Sequence, residues 1–168
     1  MSTYLKKFDF EKSPMNITYL EKAPLKLNNK FIFFHNKSKF RKELTRLQIL
    51  FNSYINTTLH AAAIRDSYLK ENFFENYLIV LFTETEKMKK VNEIIEKHTN
   101  TVLNSGCFLI ENNDNYMLLL SRDIDGLRSG IDAMETILKQ VLEDYLNQKI
   151  FDDYIKICAF TLMDCIKK

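Results

Sequence analysis

Glycine is almost absent from this 168-residue chain, and its three glycines all lie between residues 106 and 130. Glycine normally makes up about 7% of a protein, so each one here is expected where a side chain cannot fit. Such places are turns with a positive φ angle and positions where two backbones approach closely. A long amphipathic helix pattern follows Ile131, so Gly126 and Gly130 are predicted to let that helix lie tightly across a β-hairpin.

The composition fits one domain with a full hydrophobic core, because 46% of the residues are hydrophobic and 13 are phenylalanine. The net charge of +2 gives no electrostatic reason to expect nucleic-acid binding. No apolar run approaches the roughly 20 residues of a membrane span, and the N-terminus lacks the apolar core of a signal peptide. We therefore expect a cytoplasmic protein that binds neither nucleic acid nor membrane.

The cysteines and histidines give no pattern of a redox or metal site. The cysteines are Cys107, Cys158 and Cys165. They form no CxxC pair and each lies in an apolar stretch, so reduced, packed thiols are expected. The three histidines show neither HxH nor HExxH spacing. We therefore expect no metal and no cofactor.

The hydrophobic pattern predicts an α/β domain, with a small mixed β-sheet of four to five strands and two main helices packed on one face. Strands are predicted over 31–35, 77–82, 107–111 and 116–121, with a shorter one near 17–20. Residues 57–64 fit a strand better than a helix, although Ala61–Ala63 favours a helix. The main helices are predicted from Ser38 to Ile55 and from Asp123 or Asp125 to Tyr145, and a surface helix over 86–98. The run 155–163 fits either a strand or the start of a helix.

The chain is expected to form a single domain over residues 1–168. An irregular N-terminal arm would cover 1–26, where both prolines lie. The α/β core would cover 27–146. An apolar C-terminal segment would cover 147–168, and we expect Ile155–Ile166 within it to be exposed and to contact a partner domain or a second copy of the chain.

The loop before the long helix is the candidate site for a ligand. Backbone N–H groups at a helix start can bind an anion, and two arginines flank this loop. The candidate residues are Arg122, Asp123, Asp125, Gly126, Arg128 and Gly130. The structural alternative is that Asp123 or Asp125 caps the helix and that the glycines mark close packing. We prefer this alternative, because Gly-x-x-x-Gly matches neither the dinucleotide nor the P-loop fingerprint.

No catalytic group is recognisable in the sequence. Glycoside cleavage normally needs two carboxyl groups on opposite sides of the bond. The close pairs are Asp123 with Asp125, interpreted as helix caps, and Asp152 with Asp153, interpreted as a solvated turn. The absence of a catalytic pair or nucleophile motif favours a protein without enzymatic activity.

Residues 106–142 nevertheless resemble a known domain. Two strands match Cys107–Ile110 and Tyr116–Leu120, a glycine pair matches Gly126–Gly130, and a Thr-Leu helix segment matches Glu135–Leu138. This arrangement is similar to the end of the N-terminal α/β domain of β-N-acetylhexosaminidases, O-GlcNAcases and α-glucuronidases. The order of elements agrees over about 20–142.

The resemblance implies a particular role. In that family the domain precedes a catalytic TIM barrel, whose first strand carries an Arg-Gly-x-x-x-Asp-like sequence. The stretch here is Ala159–Asp164, which keeps Asp164 but has Ala159 in place of the arginine. A barrel needs about 200 residues, so the resemblance implies a non-catalytic accessory or interaction domain, for which carbohydrate is a possible ligand. The alternative is a small ligand-binding protein or enzyme of unrelated lineage, with an anion site at Arg122–Gly130.

Overall fold

The computed structural model describes residues 4–11, 16–27, 32–35, 41–56, 61–63, 77–82, 104–114, 116–121, 123–148 and 154–165. In these ranges the chain forms nine strands and two helices. The strands are β1 (Asn16–Tyr19), β2 (Leu25–Leu27), β3 (Ile32–His35), β4 (Ala61–Ala63), β5 (Tyr77–Phe82), β6 (Cys107–Asn112), β7 (Tyr116–Ser121), β8 (Ile155–Ile157) and β9 (Phe160–Cys165). The helices are α1 (Arg41–Ile55) and α2 (Ile124–Asn147). The predicted helix over 86–98 lies outside the described residues.

The main sheet has seven strands in the order β1-β9-β6-β7-β5-β3-β4. Neighbouring strands from β1 to β7 are antiparallel, and those from β7 to β4 are parallel. A separate antiparallel pair joins β2 to β8. The predicted mixed α/β sheet is therefore confirmed, but it is larger than four to five strands. Its short edge strands, β1 and β4, lie where short strands were predicted, and β9 lies in the run that fitted either a strand or a helix.

The two helices pack on one face of this sheet, as predicted. The residues that α2 buries recur at steps of three or four: Gly126, Leu127, Gly130, Ile131, Met134, Ile137, Leu138, Val141 and Leu142. Helix α1 contributes Leu47 and Phe51 to the same core. Across the sheet, Ile110 of β6 lies opposite Leu119 of β7, and both side chains belong to this core.

Helices α1 and α2 run in the same direction, and polar contacts join them along their length. From their N-terminal ends onward, Glu43 accepts a 3.4 Å hydrogen bond from Arg128, and Tyr54 donates a 2.8 Å hydrogen bond to Glu143. Between these contacts, Arg46 binds Glu135 through two nitrogens at 2.8 and 2.9 Å. Arg46 also donates to Asp132. The hydrogen bond to Glu135 is the largest cause that raises the pKa of Arg46.

The N-terminal residues 4–11 lie against the core. Phe8 is buried and packs edge-on against Phe160, with ring centroids 5.4 Å apart. The backbone of Asp9 exchanges two hydrogen bonds with the side chain of Gln140 on α2, at 2.9 and 2.8 Å. Of the predicted N-terminal arm, the short strand near Ile17 is confirmed as β1, and β2 was not predicted.

The expectation of an exposed C-terminal segment is wrong. Ile155, Ile157, Phe160 and Leu162 are 4%, 0%, 0% and 1% exposed. The reason is the sheet topology: β8 pairs with β2, and β9 lies between β1 and β6. The apolar residues therefore fill the domain's own core, so they give no reason to expect a partner at this segment. The partner itself stays a prediction.

The expectation of three reduced thiols is also wrong. Cys107 and Cys165 form a disulfide, with their Cα atoms 3.9 Å apart. They are directly opposite each other on β6 and β9, a proximity that a sequence separation of 58 residues does not reveal. Cys158 is free and buried, and its burial raises the pKa of its thiol to about 11. This thiol is packed, as predicted.

Among the described residues, no helix combines the length and apolarity that crossing a bilayer requires.

Substitution of Arg46 by methionine should remove the central contact between the helices while keeping the apolar stem. Its side chain is 38% exposed, so solvent screens the pairs and the free energy of unfolding should fall by about 1 kcal/mol. Urea unfolding measures this loss, which should shrink at about 1 M salt.

Arg128→Met is the matched control, because the contact of this arginine with Glu43 is longer, at 3.4 Å, and its side chain is 57% exposed. In this variant the free energy of unfolding should fall by less than about 0.5 kcal/mol. Equal losses in the two variants would contradict a central role for Arg46.

Candidate functional site

Asp123 links two segments at the start of α2. It is the N-cap residue, with extended backbone, and its Oδ1 accepts a 2.9 Å hydrogen bond from the Gly126 N–H. The same carboxylate accepts hydrogen bonds from the Gly106 N–H at 3.1 Å and from the Ser105 hydroxyl at 2.6 Å. Asp123 therefore holds the turn before β6 against the N-terminus of α2. The predicted capping role is confirmed for Asp123.

The turn that Asp123 binds requires a glycine. Gly106 has a φ angle of +77°, in the left-handed region that side chains rarely adopt. Its N–H can then point back to the carboxylate while β6 starts at the next residue. The positive φ angle therefore explains why residue 106 is a glycine.

At the two glycines of α2 there is no room for a side chain, as predicted. A Cβ on Gly126 would overlap the backbone carbonyl of Cys107, and one on Gly130 would overlap the side chain of Leu119. Gly126 therefore touches the start of β6, and Gly130 touches the middle of β7. These positions set how closely α2 approaches the hairpin.

Two of the remaining candidate residues, Asp125 and Arg128, lie in the described part of the chain, and both are exposed. Asp125 is exposed in the first turn of α2, where its charge interacts favourably with the helix dipole. Arg128 is exposed and faces Glu43 on α1. Arg122 lies outside the described residues. The Gly126 N–H, which an anion would use, already donates to Asp123, and ligand binding at this loop stays a prediction.

Two buried polar residues were not singled out from the sequence. Asn112 is fully buried, and its Nδ2 donates to the carbonyls of Ile157 and Cys158 at 3.1 and 2.7 Å. Ser121 is also fully buried. In the described part of the chain, Asn112 Oδ1 and Ser121 Oγ have no hydrogen-bond partner. They lie at opposite ends of the β6–β7 hairpin, so they do not form one site.

A signal for Asn112 is present in the sequence, but it is easily missed. Asn112 is in phase with Phe108 and Ile110 on β6, which both point to the core. The following polar run made it resemble a turn residue. Ser121 ends β7 and carries no comparable signal.

The described residues contain no group of three histidine, cysteine or acidic side chains placed to hold a metal ion. Asp164, the acidic residue of the barrel-like motif, accepts a 2.9 Å hydrogen bond from the backbone N–H of Cys165. Asp152 and Asp153 lie outside the described residues.

With this geometry, the fold is similar to part of several solved glycosidases. The GH20 β-N-acetylhexosaminidase of Streptomyces coelicolor A3(2) aligns with a TM-score of 0.58 at 10% identity, over 90% of this chain and 25% of its own. CpGH84D aligns with 0.60 at 10% identity, over 95% and 24%. The GH20 exo-β-N-acetylglucosaminidase of Vibrio harveyi, in complex with N-acetylglucosamine, aligns with 0.60 at 8% identity, over 98% and 20%.

These alignments confirm the resemblance to the α/β domain of hexosaminidase-type glycosidases at the level of the fold. The chain spans about a quarter or less of the length of these structures. No family model matches the sequence, and no curated protein matches it.

Substitution of Asp123 by alanine should cost about 2 kcal/mol of unfolding free energy, because it removes both a helix cap and the acceptor for the preceding turn. Asp123→Ser should recover about half of this loss, since a serine can cap α2 but is too short for the turn. Thermal and urea unfolding give both values. Asp125→Ala, in the same turn but exposed, is the control and should change stability by less than about 0.5 kcal/mol. A loss as large in the control would contradict the specific role of Asp123.

Substitution of either helix glycine by alanine should destabilise the fold, although alanine improves helix propensity by about 1 kcal/mol. Overpacking costs about 1–3 kcal/mol, so Gly130→Ala should lose about 1 kcal/mol net. Gly126→Ala should lose more, because a backbone carbonyl has to move. Urea unfolding measures both losses.

A double-mutant cycle separates steric overlap from other causes. Leu119→Ala removes the side chain that a Cβ on Gly130 would overlap, so Gly130→Ala should be neutral or stabilising in that background. An unchanged loss there would show that Leu119 is not the obstacle.

Proposed function

We propose that the chain acts as a non-catalytic accessory or interaction domain of the kind that hexosaminidase-type glycosidases contain. One observation carries the proposal: at least 90% of this chain aligns with at most 25% of each of the three glycosidases. The fold is thus one that occurs there as a component of a larger chain. The hydrolytic activity of those proteins is not assigned to this domain.

Two acidic side chains of this domain bind groups of the domain itself, which supports a structural role. Asp123, the best-placed carboxylate of the candidate loop, accepts hydrogen bonds from three separate donors. Asp164 accepts one from the adjacent backbone. Glycoside cleavage normally uses two carboxyl groups that flank the bond, one of them kept protonated by its environment. No such arrangement is built by the described acidic residues.

The proposed role is to support or bind another domain, or a second copy of the chain, with carbohydrate as the ligand class if one is bound. The buried C-terminal strands are not the proposed contact surface. The cytoplasmic location expected from the sequence is not adopted, because a disulfide such as Cys107–Cys165 is typical of proteins in oxidising compartments.

The purified chain should release no nitrophenol from p-nitrophenyl N-acetyl-β-glucosaminide above the buffer blank. Its folded state is checked by circular dichroism in the same preparation, so an unfolded sample is not scored. Hydrolysis that disappears on Asp123→Asn or Asp164→Asn would overturn the proposal. Light scattering on the same sample tests self-association.

A further inference from the structure

Three asparagines open the sequence that N-glycosylation requires, which is asparagine, any residue except proline, and then serine or threonine. They are Asn16, Asn36 and Asn56. Asn36 lies outside the described residues, as does Thr58, the hydroxyl residue that follows Asn56. The structure therefore describes one of these sequons in full, Asn16–Thr18 at the start of β1.

The disulfide gives this sequon a meaning that it would not have in a cytosolic protein. N-glycosylation is a modification of secreted proteins. Disulfides such as Cys107–Cys165 form in the same oxidising compartments, which include the lumen of the endoplasmic reticulum. The inference below rests on the compartment that the disulfide indicates.

The two side chains that define the sequon lie on the outer side of β1. Successive residues of a strand point to opposite faces. Ile17 and Tyr19 pack against the core, whereas Asn16 and Thr18 are exposed. The amide and the hydroxyl therefore lie two residues apart on one face, and the folded domain leaves both side chains in solvent. A glycan is bulky and hydrated, so it needs such an exposed position.

The pairing of β1 with β9 comes late in synthesis. These strands are neighbours in the sheet, with Tyr19 opposite Phe160. About 140 residues separate the two partners, and at about 5–20 residues per second their synthesis takes about 7 to 30 s. The sequon is therefore made long before β9 exists, so a transferase can reach it before the finished sheet holds its backbone.

We propose that Asn16 is an N-glycosylation site, modified during synthesis in the secretory pathway. The donor class is an oligosaccharide joined through C1 of its first sugar to a lipid diphosphate. Nδ2 of Asn16 attacks C1, a C1–N bond forms, and the C1–O bond to the diphosphate breaks. The lipid diphosphate leaves with the bonding electrons and Nδ2 loses one proton, so the step needs neither an oxidant nor a reductant.

The test produces the full chain behind a cleavable leader in cultured animal cells. Peptide N-glycosidase F in heavy-oxygen water converts each glycosylated asparagine to an aspartate that carries the heavy isotope, and mass spectrometry assigns this label to a residue. Most molecules should carry the label at Asn16. An unlabelled Asn16, in cells whose own secreted glycoproteins are labelled, would overturn the proposal.

Two substitutions of Thr18 provide matched controls. Thr18→Val keeps the shape and the strand preference of the residue but removes the hydroxyl, so the label at Asn16 should disappear. Thr18→Ser keeps the hydroxyl and should keep the label. A label that persists in the valine variant would show that it comes from spontaneous deamidation and not from a glycan, and would overturn the proposal.

The folded domain should accept the glycan at this exposed position. The melting temperatures of the glycosylated chain and of the same chain after enzymatic glycan removal should agree within about 4 °C. A glycosylated chain that melts without a cooperative transition, beside a deglycosylated chain that melts with one, would show that the fold has no room for the glycan and would overturn the proposal.

The compartment is tested in the same sample. After unfolding and alkylation without reductant, one alkylated cysteine is expected, which is the free Cys158. Three alkylated cysteines would remove the reason to place the chain in an oxidising compartment, and the proposal for Asn16 would fall with it.

Discussion

The close approach of α2 to the β6–β7 hairpin is the constraint on which the described structure depends. Two positions of the helix have no room for a side chain, since Gly126 meets a backbone carbonyl and Gly130 meets Leu119. Asp123 fixes the start of α2 next to the start of β6, because its carboxylate binds the N–H of Gly106. With α2 placed in this way, α1 can lie beside it, and Arg46 can reach the carboxylates on its surface.

The same constraint explains how the candidate loop differs from an open ligand site. A helix N-terminus attracts anions because its first N–H groups lack acceptors. Here the chain supplies its own anion: the carboxylate of Asp123 accepts from Gly126, Gly106 and Ser105. This arrangement agrees with a domain whose polar groups serve its fold, as proposed above.

Much of the fold could be predicted because its signals are local. The steps of three and four in α2, the two strands of the hairpin and the cap at Asp123 each depend on neighbouring residues. The glycine contacts could also be predicted, because glycine is so rare elsewhere in the chain. Long-range features could not be predicted. The pairing of Cys107 with Cys165 and the burial of Ile155–Leu162 depend on which strands become neighbours in the sheet. Asn112 was missed because the polar residues that follow it favour a turn, although its phase with Phe108 and Ile110 on β6 indicates burial.

Asn112 and the disulfide act at opposite ends of β6. The amide binds the carbonyls of Ile157 and Cys158, directly before β9, and the covalent bond reaches the last residue of that strand. With both ends fixed, β9 cannot slide along its neighbour by even one residue, a shift that would turn its apolar side chains to the wrong face. Over evolution, the stretch between Cys158 and Cys165 is therefore free to exchange one apolar residue for another, but its length has to stay constant.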